Sequence, residues 1–153
     1  MMNLSKLQQQ IMFEEGVKLN DNGEHILYND SLGYKTLGIG HLVKATDPEN
    51  EMEIGTVVSQ ERVDECFEAD LYVAINDMEK FTEGMEIDDN IKECVTEMVF
   101  QLGLPRLNKF KKFKQALLDG DIKTAQAEMK DSLWYRQTTN RADRLIEKLG
   151  KSA

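Results

Sequence analysis

The sequence predicts an α+β protein with a small β-containing lobe and a larger helical one. Three observations support that class. Apolar residues first recur at helical spacing near the N-terminus. Over residues 26–42 they alternate instead with small and polar residues, with glycines at 33, 38 and 40. From residue 60 onward helical spacing returns, in pieces interrupted by Pro105, Asp119-Gly120-Asp121 and Thr138-Thr139-Asn140. A β segment gathered in one place, rather than strands alternating with helices, is the mark of an α+β fold.

Leu4, Leu7 and Ile11 form one apolar stripe and Gly16 suits a C-cap, so a first helix is expected over 3–15. Ile26–Leu42 reads as a small antiparallel sheet, because β-branched and aromatic residues alternate there between turn-forming glycines. Residues 43–58 read as a polar connector, and Ser59 can accept an N–H at the start of the next helix. Val63, Phe67, Ala74 and Met78, flanked by Cys66, Asp70, Leu71 and Ile75, predict a long helix over about 60–80 that joins the lobes. Asp88 or Asp89 can cap a helix bearing Ile91, Cys94, Val95, Met98 and Val99. Beyond Pro105 a further helix carries Leu107, Phe110, Phe113 and Leu117. Ile122, Ala125 and Met129 mark the next, and Ala142, Leu145, Ile146 and Leu149 the last. The chain is thus expected to be one domain over 1–153. Its N-lobe lies at about 16–58, its connecting helix at about 59–80, and its C-lobe at about 81–153 together with helix 3–15.

Composition narrows the possible functions. A chain of 153 residues, 41% hydrophobic and 31% charged, can bury one substantial core. No apolar run approaches the roughly 20 residues of a membrane span, and Met1–Gln10 lacks the apolar core of a signal peptide, so a cytoplasmic protein is expected. Cys66 and Cys94 fall on apolar helical stripes and read as buried thiols; metal-ligand spacing is absent, and neither metal nor cofactor is expected. Net charge is −9, but residues 1–100 carry 7 Lys/Arg against 22 Asp/Glu, and residues 101–153 carry 12 against 6. Nucleic acid is excluded as a partner, since phosphate binding needs clustered cations. The one cluster, Arg106, Lys109, Lys111, Lys112 and Lys114, reads as a solvated helix face.

The residues that carry chemistry sit where the first helix ends and the sheet begins. Glu15 extends the row of Leu4 and Ile11, where loss of water favours a neutral carboxyl, the form a general acid needs. Periodicity leaves Glu14 open as well, since both lie roughly 50° from the stripe centre at 100° per residue. Tyr28-Asn29-Asp30 places a second carboxylate in a polar turn, six residues before the hydroxyl of Thr36. An acid, a carboxylate and a hydroxyl at such spacing are what hydrolysis of a sugar bond by acid and base requires.

The same residues resemble bacteriophage lysozymes of the T-even type, glycoside hydrolase family 24. The resemblance covers nearly the whole chain. It rests on Glu14-Glu15-Gly16, on Tyr28-Asn29-Asp30 through Thr36-Leu37-Gly38-Ile39-Gly40-His41, on Met98 through Gly103, and on Trp134 through Arg144. It implies Glu15 as the general acid, Asp30 as the second catalytic carboxylate and Thr36 as the hydroxyl that positions water. It also implies Arg141 as a partner of the acid and His41–Asp70 as a structural ion pair. Leu42 and Phe100 correspond to positions lining the sugar cleft, and each could equally be a core residue. Phe113 and Glu128 fall at two further substrate positions, but replace the usual serine and asparagine. Asn20–His25 adds about six residues to the familiar spacing, which makes Asp21 a competitor of Asp30. Asp30 is preferred because it alone keeps the six-residue step to Thr36, the extra residues being read as a longer hairpin loop.

What the resemblance implies of function is a monomeric, endolysin-type muramidase. Such an enzyme hydrolyses the β-1,4 bond between N-acetylmuramic acid and N-acetylglucosamine in peptidoglycan. It would stay in the host cytoplasm, without stable membrane insertion, until a holin-like pore admits it to the wall. Two other readings stand beside it: a lytic transglycosylase, which can dispense with Asp30 and Thr36, and a catalytically inactive wall-binding module.

Overall fold

A computed structural model describes residues 2–153. The chain separates into two compact units, one formed by Gln8–Tyr72 and the other by the residues up to Leu7 together with Val73–Ala153.

The smaller unit contains most of helix α1 (Leu4–Glu15), five short strands and the first half of α2 (Gln60–Phe81). Helix α1 ends where the sequence provides a C-cap. Gly16 takes φ +70°, which a side chain would strain, and its N–H donates to the Met12 carbonyl at 3.0 Å. The expected single sheet is two. Strands β2 (Tyr28–Asn29), β3 (Lys35–Leu37) and β4 (His41–Leu42) form an antiparallel meander, while β1 (His25–Ile26) pairs instead with β5 (Val57–Val58). The connector 43–58 is therefore not merely polar: it holds a 3-10 turn over Pro48–Glu51 and ends in a strand. Two β-branched residues were too short a run to announce β5, and Pro48 sets the turn from its first position. The Ser59 hydroxyl accepts from the Arg62 N–H at 3.1 Å and starts α2. Ile11, Leu27, Leu37, Ile39, Val58, Val63, Cys66, Phe67 and Leu71 make this unit's buried core.

In the larger unit α3 (Asp89–Leu102) is buried around most of its circumference, the polar Thr96 and Glu97 included, as suits a central helix. Asp88, not Asp89, caps it, accepting from the Ile91 N–H at 2.9 Å. Around it run α4 (Leu104–Leu107), α5 (Lys111–Leu118), α6 (Ile122–Lys130), α7 (Leu133–Gln137) and α8 (Thr139–Gly150). Their shared core includes Met98, Phe113, Leu117, Met129, Trp134, Leu145 and Leu149, each such side chain contributing about 1.5–3 kcal/mol by leaving water. Two polar groups carried inside find partners: the Trp134 indole donates to Gln101 Oε1 at 2.9 Å, and Lys148 reaches Glu97 Oε2 at 3.2 Å. Both cysteines are buried and free, and burial pushes the Cys66 thiol up to about 11, so it stays a protonated core group. Among the described residues no helix is long and apolar enough to cross a membrane.

Candidate active site

The seat of Glu15 is made by a missing side chain. Gly40 follows β3 at φ +69°, and a Cβ placed there would lie 2.7 Å from Glu15 Oε2 and 2.8 Å from Cδ. The carboxyl group therefore rests directly against the Gly40 backbone, which only glycine permits. Gly38 serves similarly on the other side of the turn: its Cβ would meet Val63 Cγ1 of α2 at 2.7 Å. The Gly-Ile-Gly run is thus a steric requirement at both glycines.

Tyr28 links this seat to Asp30. Its phenol, half-buried, donates to the Gly38 carbonyl at 3.3 Å. Burial first, then the negative charges of Glu15 and Asp30, push the phenol above its ordinary 10.0, so it remains a donor. In sequence terms Tyr28 stood out only as part of a motif; its role as the group between two carboxylates needed the fold.

Asp30 is held by its own turn. Its Oδ1 accepts from the Leu32 and Tyr34 N–H groups, both at 2.9 Å, and its backbone N–H donates to the Tyr34 carbonyl at 2.9 Å. Gly33 closes the turn at φ +87°. Both donors converge on one oxygen, and no hydrogen bond to Oδ2 occurs among the described residues. Thr36 stands opposite Tyr28 in the β2–β3 register and opposite Leu42 in the β3–β4 register. Alternation along β2 then puts Asp30 on the face shared by Tyr28, Thr36 and Leu42. The Thr36 hydroxyl, buried, donates to the Tyr34 carbonyl at 2.9 Å, leaving its lone pairs as acceptors. Leu42 is 51% exposed, which removes the core alternative for that residue.

Asp21 falls outside this constellation. It lies at the exposed tip of the turn 20–24, where Asn20 Oδ1 accepts from the Asn22 and Glu24 N–H groups. The extra residues form a turn closed on itself, as a longer hairpin loop should.

Behind the sheet, buried His41 has carboxylates on both ring nitrogens, Asp70 on Nδ1 at 2.7 Å and Asp47 on Nε2 at 2.8 Å. The Asp70 hydrogen bond raises its pKa most, burial opposes, and the Asp47 bond adds to the rise. Two acceptors on one ring call for the doubly protonated imidazolium. The His41–Asp70 pair matches expectation; Asp47 does not appear in the sequence reading at all. It extends the pair into a network: Arg62 reaches Asp47 at 3.2 Å, holds both oxygens of buried Glu49 at 3.0 Å, and meets Glu65 at 2.9 Å. For Asp47 burial acts upward, but bonds from the Lys44 N–H and His41 outweigh it and the carboxyl ends below its ordinary value. Only the path of the connector brings Asp47 and Glu49 to α2, which explains why spacing could not reveal them.

The remaining predicted residues lie in the helical unit. Phe100 is partly buried against its core, and Arg141, also partly buried, is on α8. Phe113 requires correction: placed by the resemblance at a substrate position, it is fully buried and stacks on Phe81 at 6.2 Å. A phenyl group where a serine is usual follows the α5 apolar stripe inward and serves packing. Glu128, with Lys109, Lys111 and Lys112, lines a cavity of about 360 Å³.

Glu15, Asp30 and Thr36 all belong to one small unit, gathered about the Tyr28–Gly40 sheet and the end of α1. Comparison with known proteins gives the class: the phage lysozyme family model matches residues 15–148, and the chain belongs to that family. It is a glycoside hydrolase of lysozyme type. A probable T4-type lysozyme 2 of Dictyostelium discoideum is 32% identical over 94% of this chain and 92% of its own. The pre-baseplate central spike protein Gp5 of Enterobacteria phage T4 is 28% identical over 86% of this chain and 25% of its own. A peptidoglycan hydrolase, gp36 of Pseudomonas phage phiKMV, is 27% identical over 80% of this chain and 13% of its own.

Proposed function

We propose that the protein is an endolysin-type muramidase that hydrolyses the β-1,4 bond between N-acetylmuramic acid and N-acetylglucosamine in peptidoglycan. The observation that carries this reading is the seating of Glu15 against Gly40, with Tyr28 between it and the turn-held Asp30. Protonated Glu15 gives its proton to the departing glycosidic oxygen as the C–O bond breaks. Asp30 offers its unengaged oxygen to the positive charge developing on the sugar and takes a proton from the attacking water. Thr36, whose own proton is committed to the Tyr34 carbonyl, accepts from that water and aims it. Water oxygen bonds to the sugar carbon, Asp30 then releases the proton it took to solvent, and solvent returns a proton to Glu15.

Incubating the protein with purified peptidoglycan and identifying the product ends tests this assignment. Reducing N-acetylmuramic acid ends are expected. Reducing N-acetylglucosamine ends would change the bond assigned, 1,6-anhydro ends would mean transglycosylation, and intact wall would mean a binding module. The endolysin role further entails a monomer held in the host cytoplasm until a holin-like pore opens, after which it acts on the wall. Expressed protein should then lyse cells promptly only when a pore-former is co-expressed.

A further inference from the structure

The connector 43–58 supplies no group to the chemistry above, yet its middle is stitched to both elements around it. Lys35 of β3 donates from Nζ to the Asn50 and Met52 carbonyls, at 2.9 and 2.6 Å. Asp47 Oδ2 accepts from His41 Nε2 of β4 at 2.8 Å and from the Lys44 N–H at 2.9 Å. Its other oxygen meets Arg62 of α2 at 3.2 Å. The Asp47 side chain is mostly buried and His41 almost fully, so water competes little for these bonds.

What this grip steadies is a weak place in the sheet. Strand β4 is two residues long, lies at the edge, and pairs only with β3, through Leu37–His41 and Thr36–Leu42. So short a strand does little to fix the backbone that enters it. That backbone is Gly40, one peptide link from His41, and the Glu15 carboxyl rests against it with no room for a Cβ. Asp70 alone would hold His41 at Nδ1, and a ring held at one corner can pivot about that bond. Held at Nδ1 by α2 and at Nε2 by the connector, it cannot. Asp47 cannot swing with it, because the Lys44 N–H and Arg62 fix both carboxylate oxygens.

We infer that Asp47 is a positioning residue of the hydrolase: its oxygen completes a two-point grip on the His41 ring and so holds the Gly40 backbone where the Glu15 carboxyl rests. The inference rests on the reading of Glu15 as the acid. Asp47 acts through His41 and Gly40 and touches no reacting atom.

Two measurements test it. The first is kinetic, on solubilised peptidoglycan at pH 6, below the ordinary 6.5 of His41, so that Asp70 keeps the ring charged in every variant. Asp47→Ala should lower kcat about 10-fold with KM within about 2-fold, the pattern of a displaced reacting group rather than a lost substrate contact. Asp47→Ser, too short to reach His41, replaces it if the alanine variant does not fold. Asp47→Asn removes the same charge but keeps an acceptor for Nε2, and should return to within about 3-fold of the parent. Glu49→Gln loosens the same connector at Arg62 with the same change of charge and no contact to His41; it should lower Tm and leave kcat within about 2-fold. A parental kcat in Asp47→Ala, an Asp47→Asn no faster than Asp47→Ala, or a Glu49→Gln equally slow would each overturn the assignment.

The second measurement needs no substrate. The ¹³C resonance of the Glu15 carboxyl is followed with pH in the parent, Asp47→Ala and Asp47→Asn. A change common to both variants is the field of the lost charge; the ionisation constant should move at least about 2-fold further in Asp47→Ala, where the seat itself shifts. Equal constants in the two variants would overturn the positioning role. A protein inactive on wall with that difference intact would count against the wall-hydrolase reading alone.

Discussion

Replacing Gly40 by alanine should damage activity far more than stability, and the structure gives the size of each effect. The added Cβ would stand 2.7 Å from Glu15 Oε2, which is 0.7 Å short of the 3.4 Å at which ordinary contact begins. The clashing atom is the end of a flexible side chain, so the carboxyl group yields and little strain remains in the fold. What remains is the backbone cost of a side chain at φ +69°, about 1–2 kcal/mol. In a chain of this length that lowers Tm by about 2–4 °C per kcal/mol. Catalysis cannot absorb the displacement so easily. A shift of about 1 Å in a reacting group costs about 10²-fold, so a loss of roughly 10- to 100-fold in kcat/KM on solubilised peptidoglycan is expected.

The control is Gly84→Ala, at φ +79° with nothing within 4 Å of its would-be Cβ. It should show a similar fall in Tm with activity intact. If Gly40→Ala and Gly84→Ala lost stability and retained activity alike, the seat of Glu15 would not matter to chemistry. The assignment of the acid would then fail with it.

Glu15→Gln should reduce wall hydrolysis by about 10²–10⁴-fold, the usual contribution of a general acid, with the fold retained by circular dichroism; a Glu14→Gln variant that is the inactive one would reassign the acid. Asp30→Asn should lose most activity and Asp21→Asn little, and the reverse order in lysis rates would move the carboxylate role into the inserted turn. Asp70→Asn should destabilise by about 1.5–3 kcal/mol, the worth of a hydrogen bond to a charged group, in a defined window of pH. His41 is raised above its ordinary 6.5, so its contribution is complete below that value and is lost as pH climbs through the higher folded value. Asp47, held below 3.8, loses its share only as pH falls through its own lower folded value. The deficit read from urea unfolding should therefore be complete by about pH 6.5 on the acid side and shrink as pH climbs above it; a deficit constant from pH 4 to 9 would mean packing, not charge, was lost.

Much of the fold was legible because its signals are local. Leu4, Leu7 and Ile11 announce α1, Gly16 its end, and Ser59 and Asp88 each accept the N–H that starts a helix. Strand β5 was not legible, since Val57 and Val58 acquire meaning only by pairing with His25 and Ile26, some thirty residues earlier. The site divides the same way. Glu15, Asp30 and Thr36 could be named from residue type, spacing and resemblance. Leu42 could not be assigned to core or surface until register placed it across from Thr36, and Asp47, Glu49 and Arg62 form a network that depends on where the connector runs.

Why the chemistry lies at this corner follows from what residues 38–42 join. In five residues the chain packs Gly38 on Val63 of α2, sets Gly40 beneath Glu15 of α1, anchors His41 to Asp70 of α2, and turns Leu42 outward. Each of the first three contacts tolerates little substitution, because two need the absence of a side chain and the third needs an imidazolium between carboxylates. Glu15 comes from a helix and Asp30 from a strand turn, elements that sequence separates by fifteen residues. Their relative position is therefore only as firm as the segment that touches both helices. A perturbation anywhere in that segment should reach Glu15 first and global stability second. His41 is expected to act in the same order without touching substrate, since loosening its grip on Asp70 frees the strand next to Gly40.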